Sequence, residues 1–232
     1  MGLGLNDGDD FMKSEVLFQV LGFDVTLSLF MQWVVMAILS VIAIIAGRTF
    51  NRIPSNKQAA VEIFIEKLES IVVSSIGKDG KRFMPYIGTL VLYLLFLNLM
   101  GLFGIMPPTS DYNVALGLAI ISFLVIQANA IKKVGIGHYF KGYAEPFSFL
   151  LPLNIIERFV FPVSLSLRLF GNMFAASLIM EILYEGLSNL SVVAMVGLPI
   201  PFHAYFDVFD GTLQMVVFVL LTMTNIKIIS EH

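Results

Sequence analysis

The chain has 232 residues, of which 57% are hydrophobic and only 13% charged, with a mean hydropathy of +0.86. A soluble domain carries roughly 25% charged residues, so this chain reads as an all-α membrane protein rather than a soluble one. The net charge of −3 gives no electrostatic case for nucleic acid, and the absence of cysteine excludes disulfides, iron–sulfur clusters and thiolate metal sites.

In chain order, the first 26 residues form an acidic, external N-terminal segment. Its start, "MGLGLNDGDDFMKSEV", is acidic where a secretory signal would be basic, and no A-x-A site follows. Five apolar stretches are then long enough to cross a bilayer, which takes about 20 residues. They run over about Leu27–Ala46, Tyr86–Ile105, Val114–Ile131, Ile155–Leu183 and Ala204–Ile229. The apolar segment Ser188–Pro201 reads as a re-entrant or interfacial connection. Between the first two spans, Val61, Phe64, Ile65, Leu68, Ile71 and Val72 recur with helical period, and Glu62, Glu66 and Glu69 fall on another face. That pattern predicts an amphipathic helix along the membrane interface.

Basic residues sort the loops. Arg48, Arg52, Lys57, Lys67, Lys78, Lys81 and Arg82 precede span two; Lys132, Lys133 and Lys141 follow span three; Lys227 ends span five. The N-terminal segment and the loop bearing Asp111 are acidic. Five spans with the N-terminus outside and the C-terminus cytoplasmic satisfy every loop. The chain divides into the external segment 1–26, peripheral helices over 27–131 and ion-path helices over 132–232, all in one polytopic domain.

Polar residues at membrane depth carry the functional reading, because charge there is costly and faces protein or water. Arg168 lies near the middle of span four, and Ser164, Gly171, Asn172 and Ala175 share its stripe at i−4, i+3, i+4 and i+7. On span five Asp207, Asp210 and Gln214 stand at i, i+3 and i+7 beside Gly211. Two carboxylates at that depth cannot both stay ionised and dry, so one must take a proton or reach water. Glu181 and Glu185 lie toward the outer end of span four and Glu157 toward its inner end. Acids thus flank a fixed cation from both sides, a pattern that suits two aqueous pockets which do not meet. His138, His203 and His232 are too far apart in sequence for a metal or haem motif, and His203 reads as a polar residue at a helix end. No cofactor is expected.

These stretches resemble the a subunit of F-type ATP synthases. "SLSLRLFGNM" is similar to that family's signature, with Arg168 in the place of its essential arginine and Asn172 one turn on. "DVFDGTLQMVVFVLLT" is similar to its last helix, Gln214 being the glutamine and Asp207 standing where the family carries a glutamate or histidine. "PPTSDYNV" resembles an outer loop that puts Asp111 at the outer mouth, and "PLNIIERFVFPVSL" resembles the stretch with a cytoplasmic-side glutamate, Glu157. Ser177 departs from the family, which has a channel-lining glutamate there; Glu181 or Asp210 is left to take that role.

The resemblance implies a stator that passes protons or Na⁺ to a ring of c subunits through two half-channels. The last two helices would be long and tilted against that ring, forming a hairpin, with a cytoplasmic hairpin helix at the start of the fourth segment. Its implied partners are the ring, the b-subunit peripheral stalk, the catalytic sector and the lipid of a bacterial plasma membrane. The chain has no G-x-x-x-x-G-K-[ST] loop, so ATP chemistry and catalytic residues belong to a partner. The rival reading is a self-contained secondary transporter whose arginine binds an anionic substrate.

Overall fold

The computed structural model describes residues 16–20, 23–48, 56–135, 137, 149, 151–188 and 197–231. It begins with a small antiparallel hairpin, β1 (Val16–Val20) paired with β2 (Phe23–Thr26). This hairpin is absent from the all-α reading of the sequence. The β-branched and aromatic residues of both strands favour it, but at four and five residues they are too short to register in a search for membrane spans.

Helix α1 (Leu27–Arg48) starts where the Thr26 hydroxyl accepts from the Leu29 amide at 3.3 Å. It is apolar all round, and Val35 is its one buried residue. Such a helix is solvated by lipid rather than by protein. The expected amphipathic helix is α2 (Asn56–Ile76), which buries Leu68 and Val72 and leaves its glutamates off that face. Gly88 lets it approach, because a Cβ there would fall 2.8 Å from the Leu68 methyl.

A short 3-10 helix (Lys78–Phe83) leads into α3 (Met84–Asn98), and a second (Leu99–Phe103) ends at Gly104, whose φ of 71° is left-handed. Together they form the second apolar span, Lys78–Phe103. Pro107 and Pro108 turn the chain, and Asp111 caps α4 (Tyr112–Val134) by accepting from the Asn113 amide at 2.9 Å. Helix α5 (Leu151–Ser188) has 38 residues, about 57 Å at ~1.5 Å each, against a hydrocarbon core of about 30 Å. It runs through the buried Pro162. The expected cytoplasmic hairpin helix before it falls largely outside the described residues.

The last span joins α6 (Pro199–His203), a π-helical turn (Ala204–Asp210) and α7 (Gly211–Glu231) without a break. Five helical segments are thus long and apolar enough to cross a membrane, as the sequence predicts. Two bounds differ. Span four extends about a turn further at each end, since a helix does not stop where its apolar run stops. Span five starts at Pro199 because proline is well placed in a first helical turn, whereas the sequence reading assigned that proline to the preceding connection. Most of that connection, residues 189–196, lies outside the described part.

One core joins these helices: Leu94 and Leu97 of α3, Ala115 and Ala119 of α4, Leu169 and Met173 of α5, Phe218 and Met223 of α7. The alanines let backbones come close, which is how helices associate where lipid supplies no hydrophobic drive. A buried polar link ties the ends together: Thr109 donates to the Asn98 Oδ1 at 2.9 Å, and Asn98 Nδ2 donates to the Gly211 carbonyl at 2.8 Å. That carbonyl lies where the π turn gives way to α-helix and the ladder changes register.

Asn98→Ala should therefore leave one hydroxyl and one carbonyl buried without their partner. The expected loss is about 1–3 kcal/mol, read as a lower denaturation midpoint of the purified protein in detergent; an unchanged midpoint would show that this link holds nothing.

Candidate ion-translocation site

Arg168 stands on the outer face of α5. Its stripe of Ser164, Gly171, Asn172 and Ala175 is exposed along with it, while Leu165, Leu169, Met173 and Ala176 point into the core. Among the described residues Arg168 makes no ion pair or hydrogen bond. The acids of its own helix are out of reach: Glu157 lies about 16 Å and Glu181 about 20 Å along the axis at ~1.5 Å per residue, and both are exposed. Among the described residues the guanidinium is thus without a counter-charge, on an exposed face of small and amide side chains.

The π turn sets up the second half of the site. Asp207 is buried at 6% exposure and points at Gly101, where a Cβ would fall within 2.7 Å of its carboxylate atoms. Any side chain at Gly101 would displace it. On its other side Asp207 Oδ2 lies 2.5 Å from His203 Nδ1, and His203 Nε2 lies 2.9 Å from the Tyr184 hydroxyl in the last turns of α5. The imidazole therefore bridges the two helices, and its two nitrogens can take a proton on one side and release it on the other. The Tyr184 end of this chain is exposed and the Asp207 end buried.

Asp210 follows a separate course. Gln214, buried at 8% exposure, donates from Nε2 to the Asp210 Oδ1 at 3.4 Å. Helical spacing groups Asp207, Asp210 and Gln214 on one stripe; the π turn divides that stripe into two i,i+4 pairs, His203–Asp207 and Asp210–Gln214. π turns are rare and concentrate at functional sites.

Of the remaining residues singled out from the sequence, Asn172 lies on the exposed arginine stripe, and Asp111 serves as the helix cap already described. Ser177 bonds back to the Met173 carbonyl at 2.9 Å, a contact within its own helix. Arg168 is not joined to any of the acids. The residues that sequence reasoning missed are His203, Tyr184 and Gly101. The i,i+4 spacing of His203 and Asp207 was a usable signal for the first. Nothing local indicates the other two, which meet their partners only through the fold. Among the described residues no three of His, Asp and Glu gather as a metal-ligand set.

Comparison with known proteins identifies the family of the chain as a whole. Residues 29–227 match the family described as ATP synthase A chain. The sodium-ion-specific ATP synthase subunit a of Propionigenium modestum is 34% identical over 229 residues, covering 92% of this chain and 77% of that one. The ATP synthase subunit a of Moorella thermoacetica is 37% identical over 195 residues, covering 84% and 86%; that of Desulforamulus reducens is 32% identical over 227 residues, covering 96% and 86%. With residues 29–227 inside the family match and five spans long and apolar enough to cross a membrane, this protein belongs to the ATP synthase A chain family, the multi-pass stator subunits through which the ATP synthase complex passes ions.

Proposed function

We propose that the chain passes ions through two half-channels that do not meet, separated by Arg168, and hands each ion to a carboxylate on a rotating ring of c subunits. The observation that carries this reading is the bare guanidinium on an exposed face of small residues. A cation at that depth needs a counter-charge, and none comes from its own chain among the described residues. A rotor carboxylate passing along the stripe of Ser164, Gly171, Asn172 and Ala175 would supply it.

The outer path runs past Asp111 to Tyr184, His203 and Asp207, with Asp210 and Gln214 beside it and Glu181 near its mouth. An ion arriving there neutralises the rotor carboxylate, which can then leave into lipid. A loaded carboxylate that comes round to Arg168 meets a guanidinium that favours its ionised form. The ion is then released toward Glu157 on the cytoplasmic side. Across 100 mV each ion delivers about 2.3 kcal/mol. The length of α5, well beyond the hydrocarbon thickness, supports a tilted last pair of helices lying along the ring.

The basic loops support an N-terminus outside and a C-terminus in the cytoplasm of a bacterial plasma membrane, with the b-subunit stalk and the catalytic sector as further partners. The external segment, peripheral helices and ion-path helices act as one membrane domain. The secondary-transporter reading falls with the family assignment, since a stator works only against its rotor. The P. modestum relative is named as sodium-specific. In this chain Arg168 acts on the rotor's charge, and among the described residues the acids and amides of the last two spans form no oxygen cage around a cation. Ion choice then lies with the rotor site, with the proton as the default.

Arg168→Ala should abolish coupled synthesis and pumping in a fully assembled complex; pumping above a few per cent of wild type in inverted vesicles would refute the central role of the guanidinium. Asp207→Asn and Asp210→Asn should each slow ion flux, Asp207→Asn the more because it also removes the carboxylate that His203 pairs with, and the double variant should nearly stop it. Normal flux in all three would move the outer path away from the π turn and leave Glu181 as its acid. Exchanging the c-ring for one of the other ion type, with this chain unchanged, should change the coupling ion; a hybrid that assembles and rotates but keeps its original preference would put selectivity in this chain.

A further inference from the structure

At the end of the last span opposite His203, a cavity of about 170 Å³ opens between the 3-10 helix that precedes α3 and the last turns of α4 and α7. Lys78 and Arg82 come from the first element, Lys133 from the second and Lys227 from the third, with Asp79 as the one acid among them. Among the described residues none of the four cations makes an ion pair; the nearby Lys81 is taken by Glu69. The Arg82 guanidinium is held in place, donating to Asn129 Oδ1 and lying 4.9 Å from the centre of the Phe83 ring.

Three separate elements have thus brought cations to one small volume with three more positive charges than negative. Like charges so gathered repel, and the arrangement is relieved when an oxyanion enters. A guanidinium fork and several ammonium groups are the donor set that phosphate oxygens take. The cavity also lies at the ends of three membrane spans, the depth of lipid headgroups, where basic pockets between helices bind anionic lipid. Ile76, Phe83 and Ile226 complete its wall. A free phosphate has no use for that apolar surface, whereas a lipid's glycerol and first methylenes would lie against it.

We propose that this cavity binds the phosphate group of an anionic phospholipid. The site rests on the membrane placement of the chain and not on the ion path, because neither Arg168 nor Asp207 nor Asp210 takes part in it.

The test uses the assembled, delipidated complex in detergent. Bound phosphatidylglycerol is counted by native mass spectrometry during a titration, with phosphatidylcholine and inorganic phosphate titrated in parallel. The double variant Lys133→Gln/Lys227→Gln should bind phosphatidylglycerol roughly 30-fold more weakly at one site, the effect of two lysines near a membrane surface. Lys133→Arg/Lys227→Arg should bind as wild type, which separates lost charge from lost fold. Pumping by both pairs in lipid-rich vesicles should match wild type, so a failure of the lipid site is read separately from a failure of the ion path. Binding of inorganic phosphate but not of phosphatidylglycerol, lost in the Gln pair, would keep the phosphate chemistry but overturn the lipid as its source. Equal phosphatidylglycerol binding by wild type and the Gln pair, or equal binding of phosphatidylcholine by wild type, would overturn the proposal.

Discussion

Hydrocarbon does not hydrate charge or polar backbone, so each polar group held at membrane depth needs a partner in protein. The packing of this chain follows from which groups find that partner internally. Asn98, Thr109 and the Gly211 carbonyl satisfy one another, and Tyr86 and Ser122 do so at 2.8 Å. Gln214 turns to Asp210, and His203 holds Asp207. Arg168 stands outside this accounting. Its stripe carries only small and amide side chains, and among the described residues none is a counter-charge to it.

The same division separates two kinds of surface. Helix α1 shows Val41, Ile42, Ile44 and Ile45 to its surroundings, as a helix bathed in lipid does. The Arg168 stripe is as exposed but polar and small, a surface that lipid would solvate poorly and another helix would solvate well. Exposure alone therefore does not distinguish a lipid face from a docking face here; side-chain chemistry does. The core behind both, from Leu94 to Phe218, is what keeps the two surfaces at fixed angles.

Much of this was legible in the sequence, for identifiable reasons. The five spans follow from length and hydropathy, and the Arg168 stripe follows from a regular 3.6-residue period that the long α5 preserves. The helix cap at Asp111 and the small hairpin at Val16–Thr26 depend on local signals that a search for apolar runs passes over. The stripe on the last span was only half legible. Helical spacing put Asp207, Asp210 and Gln214 together, but a π turn leaves no mark in composition, and it separates what a regular helix would align. The closeness of Gly101 to Asp207 is non-local, and no spacing rule reaches that far along the chain.

The π turn at Ala204–Asp210 also gives this span a counting constraint. In a regular helix each residue advances the side chains by about 100°, so one residue more or fewer within the turn rotates everything on one side of it against everything on the other. In a surface loop such a change is absorbed by slack. Here His203 is held by Tyr184 on one side of the turn and Gly211 by Asn98 on the other, so there is no slack to absorb it. The length of this short stretch is therefore as much a part of the site as its side chains: a single deletion that left every acid, amide and imidazole in place would still point them in the wrong directions.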